Sequence, residues 1–158
     1  MKILLPVDGS PHALRAVEHA LQLVREGLRA EFVLVNVQPP ASLYEVVVAH
    51  DDDAIQHIRS AAGADMLQPA EALLNAAGVS WESEVVGGEA STKLVEMIER
   101  YGCDAVVVGT HGVGGLRNAL LGNVTGALLQ HSPVPVTVVR LEAHEAAGPA
   151  DENTAQGE

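Results

Sequence analysis

At 158 residues the chain has room for one ordinary domain and not for two. Hydrophobic residues make up 47% but aromatics only 3%, so a core must be built from Val, Leu, Ile and Ala. With 9 Lys+Arg against 21 Asp+Glu, a net charge of −12 disfavours nucleic acid and anionic membrane surfaces, which need clustered cations. The one cysteine, Cys103, excludes an internal disulfide and a cysteine-based zinc site.

The first apolar run is Ile3–Val7, ended by Asp8. A helical pattern over Pro11–Leu28 follows, with Leu14, Val17, Leu21, Val24 and Leu28 on one stripe. Ser10 suits its N-cap and Pro11 its first turn. Phe32–Val37 is nearly continuous in apolar character, as a strand covered on both faces would be. A Pro-containing connection over 38–52 leads to a second helix, Asp53–Ala77, that Pro69 could kink or split. Val79–Val86 alternates like a half-exposed edge strand, and Gly87-Gly88 ends it. A third helix spans Ala90–Tyr101, Ala105–Val108 is a buried strand, and a last helix precedes a fifth strand, Val134–Val139.

The order β-α-β-α-β-α-β-α-β implies an α/β fold: a single-domain, open, five-stranded parallel sheet with helices on both faces. The domain should occupy residues 1–141. Residues 142–158 hold five acids, no Lys or Arg and no apolar period, so they read as an acidic flexible tail. Residues 118–139 lack charge, yet Asn118, Asn123, Gln130, His131, Pro133 and Pro135 fit a bilayer badly. With no signal peptide visible after Met1, the expectation is a cytoplasmic protein that uses neither membrane nor nucleic acid.

Ligands of such sheets bind beyond the carboxyl ends of the strands, where strand order reverses. After the first strand stands Asp8-Gly9-Ser10. After the fourth, Gly109, Gly112, Gly114 and Gly115 fall within seven residues. Such glycines can turn amide groups inward on an anion, and Gly122-Asn123 would open a helix whose first amides attract phosphate. Asn123 is the expected N-cap. A tight structural turn without a ligand fits the same letters. No Lys follows these glycines as a phosphate-loop motif requires, and Arg117 stands where a dinucleotide fingerprint needs its third glycine.

The spacing Gly109-x2-Gly112-x9-Gly122, the opening Ile3-Leu4-Leu5-Pro6-Val7-Asp8-Gly9-Ser10 and the ending His131-Ser132-Pro133-Val134-Pro135-Val136 together resemble the universal stress protein family, in its nucleotide-binding branch. The resemblance covers residues 1–141 and implies a Rossmann-like fold of the adenine nucleotide alpha hydrolase type. It implies ATP, with Mg²⁺, as ligand and a regulatory or protective role in the stress response. Pro6, Val7 and Asp8 would meet adenine and ribose, and Val37 would offer backbone groups to adenine. Val108 and Gly109 would floor the pocket, and His111 and Gly112 would approach ribose and phosphates. Gly122, Asn123, Val124 and Thr125 would hold the outer phosphates through amides and the Thr125 hydroxyl. The resemblance also implies a homodimer through residues 134–139, and an apolar edge strand seeks a partner on physical grounds.

The chain departs from the family at Asn123, where Ser or Thr is usual; a hydroxyl contact is lost but the backbone donors remain. Two rivals stand beside the binding module: a slow ATPase or adenylyl-transferring enzyme, and a nucleotide-free dimer acting through protein contacts. No catalytic residue is assigned, since neither a phosphate-loop lysine nor an evident general base is present. His50, Asp51, Asp52, Asp53 and His57 have metal-ligand chemistry, but a solvated charge cluster at a helix start is the expectation and no metal site is assigned. His12 and His19 are expected at the surface, Cys103 as an inert buried thiol, and Asp8 equally as a turn closer.

Overall fold

The structure, a computed structural model, describes residues 1–40, 52–111 and 121–141. In chain order the elements are β1 (Lys2–Pro6), α1 (Pro11–Arg25), β2 (Glu31–Gln38), α2 (Asp52–Ala77), β3 (Trp81–Gly87), α3 (Ala90–Tyr101), β4 (Ala105–Gly109), α4 (Asn123–His131) and β5 (Val136–Val139). The five strands form one parallel sheet in the order β3-β2-β1-β4-β5. Counting outward from β1, the chain runs one way to β2 and β3 and the other way to β4 and β5. The reversal therefore lies between β1 and β4, and a crevice opens at their carboxyl ends.

Successive strand residues point to opposite faces, so each apolar run feeds two cores. Ile3, Leu5, Phe32, Leu34 and Val107 pack under α1 and α2, with Val17, Leu67 and Leu74 from the helices. Leu4, Val33, Val35, Val106 and Val108 pack on the other face with Leu94, Met97 and Ile98 of α3 and Leu128 of α4. Continuous apolar strands are what a sheet covered on both sides requires.

Beyond one-residue shifts, three boundaries and the continuity of α2 differ from the expectation. Helix α1 stops at Arg25 rather than Leu28, because Gly27 turns to φ +110° and the amide of Leu28 bonds back to the Leu23 carbonyl. Helix α2 runs unbroken through Pro69, which lies on the exposed face, where the Asp65 carbonyl freed by the missing amide can meet water. Strand β3 begins at Trp81 rather than Val79, after Gly78 closes α2 at φ +66°. Strand β5 begins at Val136: Pro133 and Pro135 have no amide to give a ladder, although the Pro135 carbonyl accepts from Val106. The tail expected over 142–158 lies outside the described residues.

Glycine decides how closely α2 can approach. A Cβ on Gly63 would stand 2.4 Å from Val85 Cγ1 and 2.8 Å from Asn36 Oδ1, so only hydrogen lets the helix settle on β2 and β3 there.

Candidate functional site

Three strand ends and one helix start build the site. At the end of β1 the Val7 amide is held by the Val35 carbonyl at 2.9 Å. Asp8 Oδ1 then accepts the Ser10 amide at 2.9 Å, while Gly9 takes φ +80°. Ser10 is the N-cap of α1, accepting from the Ala13 amide at 3.2 Å, with Pro11 in the first turn as expected. Asp8 thus closes the turn and also faces the cavity described below.

At the end of β4, Gly109 lies against α1. A Cβ there would come within 2.5 Å of the His12 carbonyl oxygen. Thr110 ties three segments together: its amide donates to Val139 at 3.1 Å, its carbonyl accepts from the Gly122 amide at 2.7 Å, and its hydroxyl lies 3.1 Å from His12 Nδ1. His12 and His111 meet edge to face, with ring centroids 5.3 Å apart. His12 is therefore half-buried against Thr110 and His111, behind the residues that line the cavity, rather than free at the surface. Burial, and then the neighbouring His111, lower its pKa, and the Asp8 carboxylate opposes them.

Helix α4 begins without a side-chain cap. Gly122 is the N-cap at φ −70° and ψ 160°, and Asn123 is the first helical residue, not the cap that the sequence suggests. The amides of Asn123, Val124 and Thr125 have no carbonyl within the helix to bond, and the positive end of the helix dipole lies there. The Thr125 hydroxyl, expected on phosphate, instead donates to the Gly109 carbonyl at 2.8 Å and is buried. Its single proton is committed to holding α4 against β4, so the donors this helix start still offers are backbone amides.

These pieces surround one cavity of about 620 Å³. Pro6, Val7, Asp8, Val37, Val108, Gly109, His111, Gly122, Asn123, Val124 and Thr125 all line it. Gly112, Gly114, Gly115 and Arg117 lie outside the described residues, as do His50 and Asp51. Ala13, Asn36, Gln38, Met66 and Leu94 also line it, and the sequence pattern assigned them no role in a site. Asn36 had a signal: it is the one polar residue inside Phe32–Val37, and such a residue in a buried strand needs a partner. The volume is that of a small-molecule site. Its β4–α4 end is polar; its β2 end presents Val37, Pro39 and Met66. Among the described lining residues there is no Lys or Arg, and the groups there that can donate to an anion are backbone amides and the His111 imidazole.

A second, more open groove of about 680 Å³ lies between the end of β3 and α3. Its two cations are paired locally, Lys93 with Glu96 at 2.6 Å and Arg100 with Glu84 at 2.8 Å. Among the described residues no three His, Cys, Asp or Glu side chains gather as a metal site would need, and no helix is long and apolar enough to cross a membrane. Cys103 is buried, and burial pushes its thiol up to about 11, so it is a poor nucleophile at neutral pH.

Comparison with known proteins agrees with this architecture. Universal stress protein YxiE of Bacillus subtilis is 30% identical over 146 residues, 88% of this chain and 98% of its own length. Universal stress protein MJ0531 of Methanocaldococcus jannaschii is 28% identical over 139 residues, 88% of this chain and 81% of its own. Among solved structures, hypothetical protein MJ0577 superposes with a TM-score of 0.77 at 25% identity, over 89% of this chain and 96% of that one. A universal stress protein in complex with cAMP does so with a TM-score of 0.66 at 25% identity, over 88% and 96%. The sequence model of the Universal stress protein family matches residues 1–140, and the chain belongs to that family.

Proposed function

We propose that this chain binds an adenine nucleotide, with ATP and its Mg²⁺ as the ligand, and works as a nucleotide-dependent regulatory module of the stress response in the cytoplasm. One observation carries the reading: the uncapped start of α4 and the ends of β1, β2 and β4 face a single cavity. The helix start supplies amide donors and a positive dipole end for phosphates. Val37, Pro39 and Met66 at the β2 end suit the face of a base, and Asp8 suits ribose hydroxyls. The relative that holds cAMP lends the base and ribose part of this reading support. Asp8 is the one carboxylate among the described lining residues. Mg²⁺ would therefore be held chiefly by phosphate oxygens, as this ion often is where few protein ligands are offered.

Binding would favour whichever arrangement of the site fits the nucleotide, and the shift is limited by the difference in affinity between the two arrangements. Residues 1–141 form the binding unit, with 142–158 as an acidic appendage. Strand β5 lies at a sheet edge, and a homodimer through residues 134–139 would pair that edge. Light scattering that returns a concentration-independent monomer refutes the dimer.

Calorimetry with ATP, ADP and AMP tests the ligand. Asn123→Asp places a carboxylate at the first residue of α4, where it complements the dipole and spares the fold but repels phosphate. At an effective dielectric near 20 and after solvent screening, the repulsion is about 1.5 kcal/mol, so ATP should bind roughly tenfold more weakly. Absence of ATP binding to the wild type at millimolar ligand overturns the proposal.

A further inference from the structure

We infer that Gln38 reads the six-position of the purine, accepting a hydrogen bond from an exocyclic amine and disfavouring a six-oxo base. The inference rests on the nucleotide reading above and adds to it the residue that selects the base.

A chain of hydrogen bonds with forced directions runs from Val7 through Asn36 to Gln38. The Val7 carbonyl can only accept. The Asn36 amide that lies 2.8 Å from it must therefore present Nδ2. Asn36 is 1% exposed, so its orientation is held by packing as well. With Nδ2 turned to Val7, Asn36 Oδ1 faces Gln38 and accepts from Gln38 Nε2 at 2.7 Å. The thioether of Met66 lies 3.5 Å from Asn36 Nδ2 and 3.8 Å from Gln38 Nε2, within reach of the remaining protons as a weak acceptor. Both amide nitrogens are thus turned to protein atoms, and Asn36 Oδ1 is used. Gln38 Oε1 is the side-chain end that takes no hydrogen bond from the described residues.

Gln38 stands at the last position of β2, paired with Gly87 of β3, and lines the cavity at the end away from α4. A base whose phosphates rest on the α4 amides lies at this end. Beside Gln38 the lining residues Val37, Pro39 and Met66 are apolar, and the amide of Asn36 is spent on Val7 and Gln38, so a fixed carbonyl oxygen is a discriminating group. A six-amino purine gives it a donor. A six-oxo purine sets oxygen against oxygen, and a site with a fixed acceptor rejects a ligand that lacks the donor. Free rotation of Gln38 would erase the preference, and the bond to Asn36 prevents that rotation.

The test is calorimetric binding of ATP and of inosine triphosphate, in which oxygen replaces the amine, with the same triphosphate on both. Wild type is expected to prefer ATP by at least tenfold. Gln38→Leu should bring the ratio below about twofold, chiefly by weakening ATP. Gln38→Lys, which can still donate to Asn36 but offers the base only donors, should turn the preference toward the inosine nucleotide. Equal binding of the two triphosphates to wild type overturns this inference and leaves the nucleotide reading standing. Binding of neither overturns both. The wild-type ratio needs no variant to fold, and a Gln38→Leu protein that melts like wild type yet keeps the ratio also refutes the role of Gln38.

Discussion

Replacing Gly109 by Ala tests how tightly α1 is seated on the sheet beside the site. The φ of Gly109 is not positive, so the demand is for space rather than for backbone freedom. A Cβ would lie 2.5 Å from the His12 carbonyl oxygen, 2.7 Å from its carbon and 2.9 Å from His12 Cβ. The obstacle is mostly helix backbone, which cannot rotate away as a side chain can. Ordinary contact begins at 3.4 Å, so α1 and β4 would have to part by about 0.9 Å at this point. The helix meets the sheet through the buried residues Ala13, Ala16, Val17 and Ala20, whose small size lets it lie close, and a displacement loosens all of them. Overpacking of this kind costs about 3 kcal/mol. For a domain of this size that lowers the melting temperature by about 6–12 °C. Gly126 supplies the matched control: it lies within α4, and a Cβ there meets nothing within 4 Å. Gly126→Ala should therefore stabilise by about 0.5–1 kcal/mol. Urea denaturation followed by far-UV circular dichroism measures both. A loss under about 1 kcal/mol for Gly109→Ala, or a loss of equal size at Gly126, would refute the packing argument.

Three further outcomes are expected. Thr125→Val keeps the shape but removes the donor to the Gly109 carbonyl, and with Thr125 at 3% exposure the loss should be about 1.5 kcal/mol; a denaturation change under about 0.5 kcal/mol contradicts it. Glu89 caps α3 by accepting from Ser91 and Thr92, side chains and amides alike, which lowers its carboxyl from 4.5 to about 2. A depressed folded pKa stabilises above the unfolded value and is lost as pH falls from about 4.5 to 2. The melting-temperature gap between wild type and Glu89→Ala should therefore be widest near neutral pH and close in acid. The Tyr101 hydroxyl donates to Glu84 Oε2, which raises its pKa from 10.0 to about 12. This raised value stabilises below pH 10 and is lost between 10 and 12. In a Tyr44→Phe background, tyrosinate absorbance should show a midpoint near 12 that Glu84→Gln moves toward 10.

The elements were readable because the information is local: the stripe from Leu14 to Val24, the apolar runs at Ile3, Phe32 and Ala105, and Ser10-Pro11 at a helix start each satisfy a period or a cap within a few residues. Asp8 and Gly109 were singled out because they follow strands, and ligands gather at strand ends. On an isolated helix His12 reads as an exposed residue; only the packing of α1 across β4 half-buries it against Thr110 and His111. Asn123 reads as a cap because side-chain capping is a local preference, whereas the Gly122 amide is pinned by Thr110, a contact between distant segments, and Gly122 is where α4 begins.

By itself, the sequence determined an alternating, aliphatic, doubly covered parallel sheet, and its three motifs resemble one family. Periodicity and capping are properties of neighbouring residues, so a one-dimensional string can hold them. Tertiary structure alone decided the order β3-β2-β1-β4-β5, the commitment of the Thr125 hydroxyl to Gly109, the need for hydrogen alone at Gly63 against Val85, and the chain of bonds from Val7 through Asn36 to Gln38. Each of these joins atoms on segments far apart in the chain, and its direction depends on which acceptor or which empty space packing places opposite.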